Sequence, residues 1–374
     1  MASERVKRAI REGLLRSGVQ IDGDRPFDLR VKDDAFYDAV HRDGLSGARD
    51  AYVDGLWDTA QLDELTCRLL RAAVAVPYAS RPRLWLGQLA GWLTNQQQGG
   101  RGLRIRRHYD LGNDLFAAML DPLMTYSCGY WREATSLAEA QEAKLDLVCR
   151  KLGLRPGMRV LDIGCGWGAF ARFAAERYGA SVVGITISER QLELGRRLCQ
   201  GLPVELRLQD YRTLDDTACF DAVVSIGMFE HVGPKNHARY MDRVRRCLRP
   251  DQLFLLHTIG NRQTTYAIDP WTDRNIFPGA VLPSAPQIAE ACQGIFVIED
   301  WHNFGSDYDH TLMAWFDNFD RSWPALQAAY GDRFYRLWKC YLLTNAGAFR
   351  ARAHQLWQIV LSGDGVPGGH RSVR

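Results

Sequence analysis

VLDIGCGWG, Val160 to Gly168, reads as a buried strand running into a Gly-x-Gly-x-Gly turn and on into a helix. A short apolar run that ends at a glycine cluster is a strand signal, and the helical spacing from Phe170 to Tyr178 continues the pattern. Moving outward, MRVLDIGC supplies a first strand, SVVGIT a second, VELRLQ a third, FDAVVSIG a fourth and QLFLLHTI a fifth, with further helices expected over Glu189–Cys199 and Asn236–Leu248. GIFVIEDW and HQLWQIVLS read as a sixth and a seventh strand, separated by an aromatic-rich, mostly helical insertion from about Tyr308 to Ala348. Strands alternating with helices predict an α/β fold, a parallel sheet with helices on both faces.

The glycine turn predicts a ligand. Gly164 and Gly166 let the backbone bend sharply and approach a bound group that a Cβ would obstruct, and amides at the following helix start can meet polar atoms. A dinucleotide fingerprint spaces its glycines G-x-G-x-x-G and carries an acid near the end of the second strand. Here the third glycine comes one residue early and the second strand ends GITIS, without an acid. Asp162, just before the turn, suits a cationic methionine ammonium and would be an odd neighbour for a pyrophosphate. The reading is S-adenosylmethionine.

Bulk properties bound the rest. The chain has 374 residues, 46% hydrophobic and 24% charged, with a net charge of +3, which gives no general argument for nucleic acid as a partner. Its nine cysteines show no CxxC pairing, which reads as reduced thiols, and neither they nor the histidines carry a metal-site spacing. The charged N-terminal stretch lacks the apolar core of an export signal, and no uncharged run approaches the ~20 residues that span a bilayer. A cytoplasmic protein is expected. Residues 1–100 read as a mostly helical N-terminal domain, with helices over Val6–Leu15, Ala35–Val40 and Ala60–Val76. Residues 101–125 read as a linker and the start of the catalytic domain, which then runs over 126–374 with the insertion at about 308–348; NQQQGGRG, Asn95–Gly102, is polar and glycine-bearing and reads as a linker. From Leu65 to Tyr109 there is no acid, but there are eight arginines, and Trp85 and Trp92 lie close to two helical turns apart. That stretch is expected to face anionic lipid headgroups.

VLDIGCGWG, SVVGITIS, LQDYR, GMFEHVGPKN, LLHTIG, YSCGYW, HYDLGNDLF and DWHNFGSDYDHTLMAW together resemble the bacterial cyclopropane fatty acid synthases, with the mycolic acid cyclopropane synthases as more distant relatives. The resemblance runs along nearly the whole chain. It implies a Rossmann-like class I methyltransferase domain with a seven-stranded sheet beside a smaller helical domain, and transfer of a methylene group from S-adenosylmethionine to the cis double bond of phospholipid acyl chains. It also implies a homodimer formed through the N-terminal domain and peripheral association with the inner face of the cytoplasmic membrane. An outcome close to this one is a methyl-branched acyl chain.

Carried over by residue, the resemblance puts Tyr126 and Ser127 over the cofactor, Gly164 and Gly166 at its methionine part, Thr186 and Gln191 at the ribose, and Gln209 and Asp210 beside the adenine. It puts a bicarbonate (carbonate) ion among Cys128, Glu230, His257, Tyr308 and the backbone of Ile259. In the chemistry implied, the alkene takes the sulfonium methyl, positive charge develops on hydrocarbon, and a proton must leave the new methyl so that the ring closes. The site needs shelter from water, electron-rich groups near the cation and a base. Aromatic faces stabilise cations by about 0.5–2 kcal/mol each, and Tyr126, Tyr130, Trp131, Phe229, Trp271, Trp301, Phe304 and Tyr308 are the candidates. Bicarbonate is implied as the proton acceptor, oriented by Glu230; the residues alone also permit Glu230 as direct base. His257 ends a buried strand and must find a hydrogen-bond partner. Cys128 is expected to offer a weak hydrogen bond, Tyr308 a hydroxyl from a loop, and His231 to be a packed polar side chain.

Overall fold

The computed structural model describes residues 2–73, 87–89, 91–92, 95 and 112–374. The expected linker beyond Asn95, Trp85 and the arginines from Arg81 to Arg107 lie outside the described residues. The chain divides into two compact units, the first Met1–Gly87, Asp269–Pro278 and Tyr308–His354, the second Gln88–Ile268, Gly279–Asp307 and Gln355–Arg374.

The second unit carries the sheet. Its strands are β3 (Arg159–Ile163), β4 (Ser181–Thr186), β5 (Val204–Leu208), β6 (Phe220–Ile226), β7 (Leu248–Asn261), β8 (Val297–Asn303) and β9 (His354–Ser362). They form one seven-stranded sheet in the order β5-β4-β3-β6-β7-β9-β8. β3 pairs in parallel with β4 on one side and β6 on the other, β6 in parallel with β7, and β8 antiparallel with β9. The order reverses direction between β3 and β6, and that switch point is where open α/β sheets bind ligands. Alternate side chains of the strands feed the two faces: Leu161, Ile163, Val183 and Val223 pack into one core, Val160, Val182, Ala222 and Val224 into the other. All seven expected strands are present, β7 beginning four residues ahead of QLFLLHTI. The expected helices appear as Ala169–Tyr178, Glu189–Leu198 and His237–Cys247.

The first unit is helical, with α1 (Glu4–Arg16), α2 (Ala35–Val53), α3 (Leu62–Ala73) and a two-stranded ribbon, β1 (Arg30–Val31) against β2 (Trp57–Asp58), that the sequence did not signal. The second helix runs well past Val40 because the kink at Gly44 (φ 59°) redirects the chain without ending it. The insertion forms two long helices, Asp307–Tyr330 and Asp332–Arg350, grouped here with the N-terminal helices. A Cβ on Gly347 would sit 2.2 Å from the carbonyl oxygen of Asp63, so the last of these helices crosses α3 at backbone contact. Arg350 ties the same crossing, 2.7 Å from Asp63 and 2.9 Å from Asp309. The domain boundaries expected along the chain therefore do not coincide with the spatial units, since the insertion's small-residue face seeks α3 some 280 positions away.

Candidate active site

The turn after β3 is built for close approach. Gly164 has φ +83°, and a Cβ there would lie 2.9 Å from Cβ of Met228; Gly166 has φ +56° and faces open space. Around it, at the ends of β3, β4, β5 and β6, lies one cleft. Tyr126, Ser127, Asp162, Gly164, Gly166, Thr186, Gln191, Gln209 and Asp210, the residues expected at the cofactor, all line it.

Their own contacts order the cleft from end to end. Asp162 is buried, its Oδ2 has no hydrogen-bond partner, and burial drives its pKa up to about 7 against the pull of Lys144. Thr186 Oγ1 donates to Gln191 Oε1 at 2.9 Å, while the Gln209 amide donates to the Thr186 carbonyl at 2.9 Å. Asp210 caps the short turn Tyr211–Thr213 by accepting from the Arg212 amide at 2.9 Å, and pairs with the Arg212 guanidinium at 2.7 Å. Phe116 braces the rim, edge-on to Tyr126 (centroids 5.1 Å) and tilted against Trp167 (5.0 Å). The buried, partnerless Oδ2 of Asp162 and the open glycine cradle two residues on fit a methionine ammonium and carboxylate.

A second group of polar atoms sits just past the end of β6, whose last residue, Ile226, pairs with His257 of β7. Glu230, 5% exposed, accepts from the Ile259 amide at 2.7 Å through Oε1. Its Oε2 is buried with no partner, and burial lifts the carboxyl to about 7, the Ile259 bond opposing. His257 is 1% exposed, meets Gln358 Nε2 through Nδ1 at 3.3 Å, and has a buried, partnerless Nε2. Burial, with Lys144 and Lys151 adding, drives its pKa well below the ordinary value, so the ring is neutral. The Gly260 of LLHTIG has a reason too: a Cβ there would run into the Trp357 ring at 2.1 Å. Phe304 stands edge-on to His257 (5.9 Å) and to Tyr130 (5.3 Å). Cys128 is fully buried and donates to the Gly129 carbonyl at 3.1 Å.

Several expected residues have other surroundings. Tyr308 is not in a loop: it lies in the first turn of the helix Asp307–Tyr330, in the helical unit, with its ring 4.5 Å from that of Phe349, because Gly305 and Ser306 already complete the turn before it. Phe229 is core, stacked on His237 at 4.2 Å, and Trp301 packs on Trp357 at 5.2 Å. Trp271 is buried in the helical unit with Arg49 over its ring at 5.3 Å. His231 lines the cofactor cleft instead of simply packing, and burial lowers its pKa to about 4. Lys144, unforeseen, also lines the cleft. Its helix, Leu137–Lys151, carried no warning, since a lysine among AEAQEAK reads as solvent-facing.

Residues 97–359 match the family described as mycolic acid cyclopropane synthetase. The chain belongs to that family. It is 49% identical over 371 residues, 98% of this chain and 96% of the relative, to the cyclopropane-fatty-acyl-phospholipid synthase of Escherichia coli (strain K12). It is 38% identical to a probable fatty acid methyltransferase of Pseudomonas putida, over 71% of this chain and 70% of that one. Among solved structures, the mycolic acid cyclopropane synthase CmaA1 complexed with SAH and CTAB superposes with a TM-score of 0.64 at 32% identity, covering 69% of this chain and 96% of that one. As a member of the cyclopropane synthetase family the protein is an S-adenosylmethionine-dependent enzyme with the methyltransferase fold.

Proposed function

We propose that the protein converts the cis double bond of an unsaturated phospholipid acyl chain into a cyclopropane ring, with bicarbonate held between Glu230 and His257. The observation that carries this reading is the pair of buried atoms without partners, Glu230 Oε2 in the short turn after β6 and His257 Nε2 on the neighbouring β7, beside the cofactor cleft. Leaving two such atoms unmatched costs about 1–3 kcal/mol each, and a small oxyanion with one O–H matches both. S-adenosylmethionine supplies an electrophilic methyl group. Bicarbonate, when bound, supplies a proton acceptor.

The chain's residues do the rest. Asp162 receives the methionine ammonium, Thr186 and Gln191 the ribose, and Gln209 and Asp210 flank the adenine. Glu230, anchored by the Ile259 amide, accepts an O–H and orients its owner; neutral His257 offers an N–H. Cys128, fully buried, completes that set. Phe304, beside His257, and Tyr130, packed on Phe304, present aromatic walls and exclude water from the charge that develops on the acyl chain. Overall, alkene and S-adenosylmethionine give cyclopropane, S-adenosylhomocysteine and one proton.

The helical N-terminal part is proposed to meet the inner face of the cytoplasmic membrane through its arginines and to form the homodimer contact. No helix among the described residues is long and apolar enough to cross a membrane. Arg68 already lies over the Phe27 ring at 3.9 Å, so the lipid contacts fall to the arginines beyond it. Incubation with S-adenosylmethionine and unsaturated phospholipid vesicles tests the reading. The recovered acyl chains are heavier by one CH2; a gain of CH2 plus two hydrogens is a reduced methyl branch and supports the methyl-branched alternative.

A further inference from the structure

The helix Leu137–Lys151 opens on a capping box between Ser136 and Glu139 and turns Gln141 and Lys144, both 0% exposed, to one buried face. Gln141 Nε2 donates to the Ser127 carbonyl at 2.7 Å, and Lys144 Nζ donates to Ser127 Oγ at 2.9 Å. The helix thus holds Ser127, which lines the cofactor cleft, by both its backbone and its side chain. A neutral hydroxyl is a poor counterpart for a buried ammonium, whose desolvation costs several kcal/mol. Asp162, whose buried Oδ2 has no hydrogen-bond partner, lines the same cleft as Lys144.

We propose that Lys144 is a positioning residue for the cofactor: it fixes Ser127 and places a positive charge in the cleft that Asp162 lines, favouring the carboxylate that meets the methionine ammonium. This rests on the assignment of Asp162 to that ammonium. Each charge favours the other: Lys144 opposes the burial that raises Asp162, and Asp121, Cys128 and Asp162 oppose the burial that lowers Lys144 to about 8. Other groups facing the pair are the Cys165 and Cys199 thiols and the Tyr240 hydroxyl, which burial keeps neutral, and His257, which Lys144 helps keep neutral.

The test is calorimetric titration of S-adenosylhomocysteine into the full chain from pH 6 to 8.5. Wild-type affinity falls about tenfold per unit below about pH 7, as Asp162 takes a proton. Lys144→Met and Lys144→Gln raise that midpoint by a unit or more. They bind about fivefold more weakly than wild type at pH 7 and approach it by pH 8.5, as expected from linkage. Glutamine keeps a donor for Ser127 without the charge, so it separates the two roles and serves if the methionine variant folds poorly. Ser127→Ala binds more weakly by one factor at every pH, with the midpoint unmoved. A constant weakening across pH in both Lys144 variants, or a midpoint that stays or falls, overturns the proposal. Asp162→Asn binding as tightly as wild type overturns the Asp162 assignment itself; Asp162→Asn weakened while the Lys144 midpoints stay put overturns only the role of Lys144.

Discussion

Replacing Glu230 by glutamine changes one buried atom and little else. Oε1 remains to accept from the Ile259 amide at 2.7 Å, so the backbone anchor between the ends of β6 and β7 persists. Oε2, buried and without a partner, becomes an NH2 group that cannot accept an O–H. If that atom orients the proton acceptor, the loss is that of a positioned general-base contact, about 10²- to 10³-fold in turnover, or about 2.7–4 kcal/mol of barrier. Glu230 does not line the cofactor cleft, so affinity for S-adenosylhomocysteine is expected to stay within about twofold. Turnover is read from labelled S-adenosylmethionine incorporated into vesicle lipid, and affinity by calorimetry. Turnover within about threefold of wild type would refute the reasoning. A parallel fall in affinity and melting temperature would also refute it, by making Glu230 a structural acid.

His257→Ala leaves Gln358 without its buried contact and removes the N–H donor; turnover falls by about 10²-fold or more, with cofactor affinity kept, in the same two assays. Gly164→Ala forces a Cβ onto a backbone at φ +83° and against Met228; cofactor affinity drops, and urea unfolding shows a loss of about 1–2 kcal/mol. Gly347→Ala pushes the last helix away from Asp63 and costs about 1–3 kcal/mol in the same unfolding experiment. Asp300 is held at about 2: burial opposes its ionisation, but hydrogen bonds from Arg374 and Ser372 outweigh that. A carboxylate lowered on folding contributes stability that is complete above its unfolded value, about 3.9, and is lost as pH falls through about 2. Arg374→Ala therefore lowers stability above about pH 5, and circular dichroism shows the gap to wild type closing between about pH 4 and 2.

The cofactor cleft was legible because its signal is local. Three glycines with required backbone angles, a strand on one side and a helix on the other place Asp162, Gly164 and Gly166 without further information, and the parallel order of β3 to β7 then carries Thr186 and Asp210 to the same edge. Lys144 was not legible, because burial of a charged side chain depends on what packs over it, and nothing within LAEAQEAKLDLVCRK records the Tyr126–Ser127 strap. The helical setting of Tyr308 is hidden in the sequence for a related reason: Asp307 and Asp309 flank it as in a turn, yet both suit a helix start, and Arg350, forty-one residues beyond Asp309, holds that carboxylate. The grouping of the two late helices with the N-terminal ones rests on Gly347 meeting Asp63, a contact that one sequence cannot announce.

Ring closure requires a proton to leave the carbon that has just been transferred. Full-length protein given S-adenosylmethionine with a trideuterated methyl group, and vesicles of unsaturated phospholipid, should yield acyl chains that keep two of the three deuteriums in a ring methylene, identified by mass and by upfield proton resonances on the unlabelled product. Acyl chains that keep all three deuteriums on a methyl branch would contradict it.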